Sequence, residues 1–143
     1  MPERTGVIDM PIGRSPSDRK KMAVVAEGGK EAHTTYYVID TFGPFQYIRL
    51  KLGTGRTHQI RVHLSRVGHP VLGDAAYGGR RERRGGLRGK DAATADRALA
   101  IIDRQALHAE ELSFVHPATG KPVTFTAALP ADFRAVLDFL KSA

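Results

Sequence analysis

A change from strand-like to helix-like periodicity between residues 45 and 70 constrains the fold of this chain more than any other feature. Over Phe45–Leu52, apolar and polar residues alternate, which predicts a strand with one buried face and one basic, solvated face. The residues expected on the buried face are Ile48, Leu50 and Leu52. Gly53 and Gly55 then break the strand. An inward stripe at helical spacing follows, formed by Ile60, His63, Leu64 and Val67.

Residues with known conformational preferences mark the ends of this predicted helix. Thr57 is the predicted N-cap, since its hydroxyl can accept a backbone N–H of the first turn. Gly68 is expected in the left-handed position that ends helices, and Pro70 prevents the helix from continuing. Arg61 lies about 100° from Ile60 around the helix axis. We therefore expect Arg61 to point along the seam between helix and sheet.

The other segments complete an α+β pattern. Ala32–Asp40, Ala106–Val115 and Pro122–Leu129 are predicted strands. Ala92–Asp103 and an amphipathic segment that starts at Pro130 are predicted helices. Strands with a few interspersed helices predict an α+β fold, a mostly antiparallel mixed sheet with packed helices. At 143 residues, we expect residues 1–143 to form a single domain.

The charge of the chain indicates a polyanionic partner. The formal net charge is +7, and the segment from Arg80 to Lys90 alone carries six Arg or Lys residues and one Glu. Residues 80–91 are predicted to form a basic flexible loop. A solvated surface loop is one interpretation, and contact with nucleic acid phosphates is the favoured one, because neutralising phosphates releases counterions whatever the base sequence.

Composition excludes several other classes of protein. The chain has no cysteine, which excludes disulfides and thiolate metal sites and fits a reducing cytoplasm. Its apolar runs are too short for a transmembrane span, and its first ten residues lack the apolar core of a secretory signal. We therefore expect a cytoplasmic protein with no membrane partner.

The candidate site residues are arginines rather than metal ligands. His58, His63 and His69 are five and six residues apart, a spacing that does not place two ligands on one helix face, so no metal is expected. Nucleophile-elbow and phosphate-loop motifs are absent from the sequence. Arg56 and Arg61 are either surface ion-pair partners or forks for phosphate or carboxylate. The flanking Gly and Thr residues, which let a ligand approach the backbone, favour a site.

Residues 54–79, TGRTHQIRVHLSRVGHPVLGDAAYGG, resemble the signature segment of RluA-type RNA pseudouridine synthases. The resemblance continues through residues 6–12, 29–36, 104–109 and 114–117, so it covers nearly the whole chain in order. It implies the pseudouridine synthase fold and the isomerisation of uridine to pseudouridine in structured RNA, ribosomal or transfer RNA, without any cofactor. The target nucleotide would be flipped out of its stack, at a cost of a few kcal/mol.

One element of the family pattern does not occur in the sequence. The family's catalytic aspartate lies in an upstream Gly-Arg-Leu-Asp-x-x-Thr-Ser-Gly motif, which a base-stacking tyrosine follows, and neither is found here. Asp9 and Asp74 fall at other motif positions and are not expected to take that role. The sequence therefore resembles the C-terminal half of the catalytic domain, as a truncated piece or a fragmentary reading frame. We expect it to be inactive alone.

The resemblance also implies roles for individual residues. Arg61 corresponds to the basic residue that pairs with the catalytic aspartate, and Ile60 and Leu107 are assigned to the uracil pocket. Without that aspartate, Arg61 is expected to be unpaired, and an exposed sheet edge is expected to favour self-association. The RNA contacts are assigned to Arg56, His58, Arg80, Arg81, Arg83, Arg84, Arg88 and Lys90.

Two other functions stay open from the residues themselves. One is a non-catalytic RNA-binding module that keeps the basic surface and lacks the chemistry. The other is a phosphate-ester enzyme that uses the Arg and His residues, and it would need an acid or a metal that the sequence does not identify.

Overall fold

A computed structural model describes residues 1–80 and 86–143 and has an α+β fold whose paired strands are antiparallel. The described strands are β1 (Thr5–Asp9), β2 (Ile12–Arg14), β3 (Met22–Val24), β4 (His33–Phe42), β5 (Phe45–Leu52), β6 (Glu111–Val115) and β7 (Pro122–Thr126). The described helices are α1 (Gln59–Arg66), α2 (Gly89–Ile101) and α3 (Ala131–Ser142). Strands β1, β4 and β5 form a sheet in the order β1-β4-β5, while β2-β3 and β6-β7 pair separately. The predicted fold class is confirmed.

The core that positions the site lies between the three-stranded sheet and α1. Its buried centre consists of Ile8, Tyr36, Leu64 and Val71, around which partly buried residues such as Ile48 and Leu50 of β5 pack. The predicted inward face of β5 is therefore correct at those two positions. It is wrong at Leu52, which is 46% exposed because the chain leaves the sheet at this last residue of the strand.

Helix α1 differs from its prediction at the N-terminus and agrees with it at the C-terminus. The prediction that Thr57 is the N-cap is wrong, because the helix starts at Gln59 after His58, which has a left-handed φ of 55° and makes no side-chain cap. At the other end Gly68 has a φ of +79°, as predicted. Its N–H and that of His69 donate to the carbonyl groups of Ser65 and Leu64, which satisfies the last turn of the helix.

Two segment boundaries outside the site are shifted. Helix α2 starts at Gly89, so residues 89–91 of the predicted basic loop are helical, with Asp91 in the favourable first turn. The predicted strand at Ala106 starts only at Glu111, because the Ala106 N–H donates to the carbonyl of Leu72 rather than to a neighbouring strand.

Helix α3 packs on α2 through Val136 and Leu140. Among the described helices, none has the length and apolar character to cross a bilayer.

Candidate active site

Gln59 fixes the Gly-Thr loop that precedes α1. Its side chain is buried, and its Oε1 accepts from the Thr54 hydroxyl at 2.8 Å and from the Arg56 N–H at 2.9 Å. Its Nε2 donates to the His33 carbonyl at 2.9 Å and to the Thr34 hydroxyl at 3.0 Å. All four hydrogen-bonding positions of the amide are thus occupied. The loop is tied to the start of β4, and Arg56 and His58 are held at the exposed end of the helix.

His63 is a structural residue of the same network. Its ring is fully buried, with Nε2 2.9 Å from the Met10 carbonyl and Nδ1 2.9 Å from the Thr34 hydroxyl. A carbonyl oxygen can only accept, so Nε2 carries a proton and donates to it. Both ring nitrogens are therefore engaged within the protein. In the described ranges, no group of three or more His, Asp or Glu side chains is placed to hold a metal ion.

Arg61 is paired with Asp74 in a bidentate ion pair. Its Nε lies 2.7 Å from Oδ2 of Asp74 and its Nη2 lies 2.9 Å from Oδ1. The Asp74 carboxylate is fully buried, while the Arg61 side chain remains 16% exposed. The expectation that Arg61 is unpaired is therefore wrong. The physical reason is that the loop after α1 turns back and brings an acid from 13 residues further along the chain against the helix.

The ion pair keeps both groups charged. Burial by itself would raise the pKa of Asp74, but hydrogen bonds from Arg61 and from the N–H groups of Ala76 and Tyr77 outweigh it and hold that pKa below its usual value. The hydrogen bond to Asp74 in turn raises the pKa of Arg61. The Asp74 oxygens accept four hydrogen bonds, which stabilise the ionised carboxylate.

The aromatic ring of Tyr77 packs against the guanidinium of Arg61. The Arg61 Cζ lies 4.7 Å from the centre of the Tyr77 ring, a cation–π arrangement. The Tyr77 hydroxyl is 2.9 Å from Nδ1 of His58 and accepts from the Met22 N–H at 3.1 Å. One aromatic residue therefore connects the ion pair to His58 at the start of α1.

Sequence reasoning did not assign Asp74 or Tyr77 to the site. The sequence does contain one signal for a structured loop here, the glycines at positions 73 and 79 that flank Asp74 and Tyr77. Gly73 has a φ of +80°, and a Cβ at Gly79 would collide with the carbonyl oxygen of Val71. Such glycines indicate a tight loop with a defined shape, although they do not by themselves reveal what the loop holds.

Ile60 and Leu107, the predicted pocket residues, pack against the same apolar cluster. Both are partly buried, and the segment of Leu107 is held by Arg104, whose Nη1 donates to the Leu107 carbonyl at 3.3 Å. Arg104 is itself clamped by Asp132 at the start of α3 through two hydrogen bonds of 2.8 Å. The fold thus brings together two apolar residues that are far apart in the sequence, with Arg61 following Ile60 directly in α1.

The predicted RNA-contacting residues fall into three groups. Arg56 and His58 are exposed just before α1, where Nε of Arg56 donates to the Glu31 carbonyl at 2.9 Å, and Arg88 and Lys90 are exposed at the start of α2. Arg80 points inward and donates to the carbonyl groups of Gly73 at 3.2 Å and Ile102 at 3.1 Å. The remaining predicted residues, Arg81, Arg83 and Arg84, lie outside the described ranges.

Known proteins resemble this chain in sequence and in fold. A sequence profile described as RNA pseudouridylate synthase matches residues 1–66. An "Uncharacterized RNA pseudouridine synthase" of Chloroflexus aurantiacus is 46% identical over 136 residues, which are 95% of this chain and 38% of that protein. The "Ribosomal large subunit pseudouridine synthase D" of Pseudomonas aeruginosa is 45% identical over 136 residues, which are 95% of this chain and 41% of that protein.

Solved structures agree with these sequence matches. The human RNA pseudouridylate synthase domain containing 1 superposes with a TM-score of 0.64 at 25% identity, over 100% of this chain and 62% of that chain. The human RNA pseudouridylate synthase domain containing 4 gives a TM-score of 0.65 at 28% identity, over 96% of this chain and 57% of that chain. The fold is that of a pseudouridylate synthase domain.

The chain belongs to the RNA pseudouridine synthase family, in its RluA-type branch, as residues 54–79 predicted. It spans 38% and 41% of the two curated relatives described above.

Proposed function

We propose that residues 1–143 are a single-domain, C-terminal portion of the catalytic domain of a cytoplasmic RNA pseudouridine synthase. Its substrate is uridine in structured RNA, ribosomal or transfer RNA. The observation that carries the proposal is the arginine of α1: Arg61 is charged, rigidly held and partly accessible. The names of the curated relatives and the lack of cysteine in this chain support the substrate class and the compartment.

The reaction needs a carboxylate, and we propose that sequence outside this chain supplies it. The carboxylate drives cleavage of the bond from N1 of uracil to C1′ of the ribose, the base turns, and C5 is joined to C1′. The C5 proton leaves to solvent and N1 takes up a proton, so the product is an isomer of uridine. Arg61 keeps that carboxylate ionised by placing an opposite charge beside it. Ile60 and Leu107 form part of the apolar wall on which the uracil lies. No cofactor takes part.

Contacts to RNA phosphates are proposed for the exposed basic residues near the site. Arg56 and His58 lie just before the start of α1, and Arg88 and Lys90 lie at the start of α2. Arg81, Arg83 and Arg84 are proposed from the sequence alone. Arg80 donates from Nε and Nη2 to backbone carbonyl groups, so no phosphate contact is proposed for it.

A tritium-release assay on RNA labelled at C5 of uridine tests the proposal. The chain alone should release no tritium, because the acid that Arg61 requires is not one of its own. A chimera, in which this chain replaces the matched 136-residue segment of the Pseudomonas aeruginosa relative, should release tritium. The parent relative serves as the positive control.

The outcomes separate the rival functions. Turnover by the chain alone contradicts the claim that the acid lies outside it. A folded chimera that binds RNA without turnover supports the non-catalytic RNA-binding module instead. A phosphate-ester enzyme is disfavoured already, since Asp74, the acid that contacts Arg61, has its oxygens occupied by hydrogen bonds.

A further inference from the structure

We propose that Asp74 is a positioning residue for Arg61: it binds one edge of the guanidinium and leaves the opposite edge for a second carboxylate. The inference rests on the proposed function, in which Arg61 pairs with a catalytic acid. Asp74 binds the edge formed by Nε and Nη2. For Nη1, no hydrogen bond is recorded to any residue in the ranges 1–80 and 86–143.

Two contacts together define the orientation of the guanidinium. The Tyr77 ring, whose centre lies 4.7 Å from Cζ, packs against the guanidinium and restricts its movement on that side. The two hydrogen bonds to Asp74 define the rotation of the guanidinium, since a bidentate pair has only one good geometry. An arginine held in this way needs no rearrangement when a second carboxylate or a substrate arrives.

Asp74 is itself held by the loop that carries it. Its N–H donates to the Val71 carbonyl at 3.1 Å, and its carbonyl accepts from the Gly79 N–H at 2.7 Å. Gly73 N–H donates to the Gly79 carbonyl at 3.2 Å, which closes the loop. The backbone of Asp74 is therefore held by hydrogen bonds, and the N–H groups of Ala76 and Tyr77 donate to Oδ1 of its carboxylate.

The chemistry of a buried ion pair supports a functional role. Taking two charges out of water is costly, and well-packed apolar residues often stabilise a core equally well. Here the acid is fully buried while the Arg61 side chain stays partly accessible, so the pair is not sealed within the core. Lysine would not fix this geometry, because its single ammonium lacks the planar fork with which arginine binds a carboxylate in a bidentate pair.

A double-mutant cycle in the chimera described above tests the inference. Asp74→Asn should lower kcat on the order of 100-fold, the loss expected from misplacing a catalytic group by about 1 Å. The KM for RNA should change little, since Asp74 contacts no RNA. In an Arg61→Lys background, Asp74→Asn should cause little further loss, because residues that act as a unit are non-additive. Equal losses in both backgrounds, or an unchanged kcat, would overturn the inference.

One control variant and one alternative pair of variants accompany this test. Glu110→Gln removes an exposed ion pair with Arg49 and should leave kcat unchanged. If Asp74→Asn does not fold, as judged by its thermal melting curve, Tyr77→Leu is compared with Tyr77→Phe. Both lose the hydroxyl, but only the leucine variant loses the ring that packs against Arg61, so its kcat should fall further. Equal kcat values for these two variants would contradict the positioning of Arg61.

The failure of this inference is distinguishable from failure of the proposed function. An unsubstituted chimera that folds and shows no turnover would reject the proposed function. An active chimera that tolerates Asp74→Asn would reject the positioning role alone. In the chain itself, the Arg61 Nε–H should give a slowly exchanging NMR resonance that Asp74→Asn abolishes and Glu110→Gln leaves in place. A rapidly exchanging Nε–H in the unsubstituted chain would also contradict a fixed guanidinium.

Discussion

Gln59 is the residue on which the shape of the loop before α1 depends. Replacing it with leucine should lower the free energy of unfolding by about 3 kcal/mol, since each buried polar group left unpaired costs ~1–3 kcal/mol. Thr57→Ala is the matched control: it should cost less than about 0.5 kcal/mol, as expected for an exposed residue that caps nothing. Urea denaturation measures both values. A loss near 1 kcal/mol for Thr57→Ala would restore it as the N-cap.

His33 makes the stability of the folded chain depend on pH. Its Nδ1 lies 3.0 Å from the Asp9 carboxylate and its Nε2 lies 2.6 Å from that of Glu31. The hydrogen bond to Glu31 raises the pKa of His33 above 6.5. The protonated ring therefore contributes stability that is fully present below pH 6.5 and is lost as the pH rises through the raised pKa.

Urea denaturation across that window tests the His33 prediction. The free energy of unfolding should decline as the pH rises above about 6.5 and through the raised pKa of His33. The His33→Gln variant should lack that decline, and an identical pH dependence in both proteins would contradict the role of His33.

Individual residues also mark the limit of sequence reasoning. Periodicity placed His63 inside correctly, because that pattern is local. The burial of Gln59 depends on partners in β4 that precede it by 25 and 26 residues, and the pairing of Arg61 depends on a loop that returns 13 residues later. Contacts between residues so far apart in the sequence depend on the fold, and local sequence patterns do not predict them.

At the scale of elements, the start of α2 divides the predicted basic loop into two parts. Replacing residues 81–88 with Gly and Ser should flatten the salt dependence of RNA binding, because each phosphate contact releases counterions. Arg80→Ala should leave that slope unchanged and lower the melting temperature instead, since Arg80 binds two backbone carbonyls. Filter binding over a salt series checks both. A slope that stays the same after the Gly and Ser replacement removes residues 81–88 from the interface.

Elements that are determined locally were predicted well, and those that depend on distant contacts were not. Strand β5 has the predicted bounds, and α1 ends at the predicted glycine. The predicted strand from Ala106 failed over its first five residues. There the chain is anchored to Leu72 and Arg104, contacts that no alternation of apolar residues reveals.

For the whole molecule, exposed apolar strands predict self-association. Val7 of β1 is 62% exposed, and Leu112 and Phe125 of the β6-β7 pair are 61% and 60% exposed. In the described sheet, β1 and β5 are edge strands with unpaired backbone groups. Sedimentation should therefore show dimers or larger species as the concentration rises. A single monomeric species up to the millimolar range would contradict this expectation.

In the proposed function, Arg61 supplies one half of a catalytic pair whose acid lies on other sequence. The most direct measurement is tritium release by the chimera with Arg61 intact and with Arg61→Ala, using RNA concentrations that saturate both proteins. We expect release by the first and a loss on the order of 100-fold or more for the second, with RNA affinity maintained. The melting temperature should fall, because Arg61→Ala leaves the buried Asp74 carboxylate without its partner, so the two proteins are compared at a temperature at which both are folded. Equal release by the two proteins would contradict this role of Arg61.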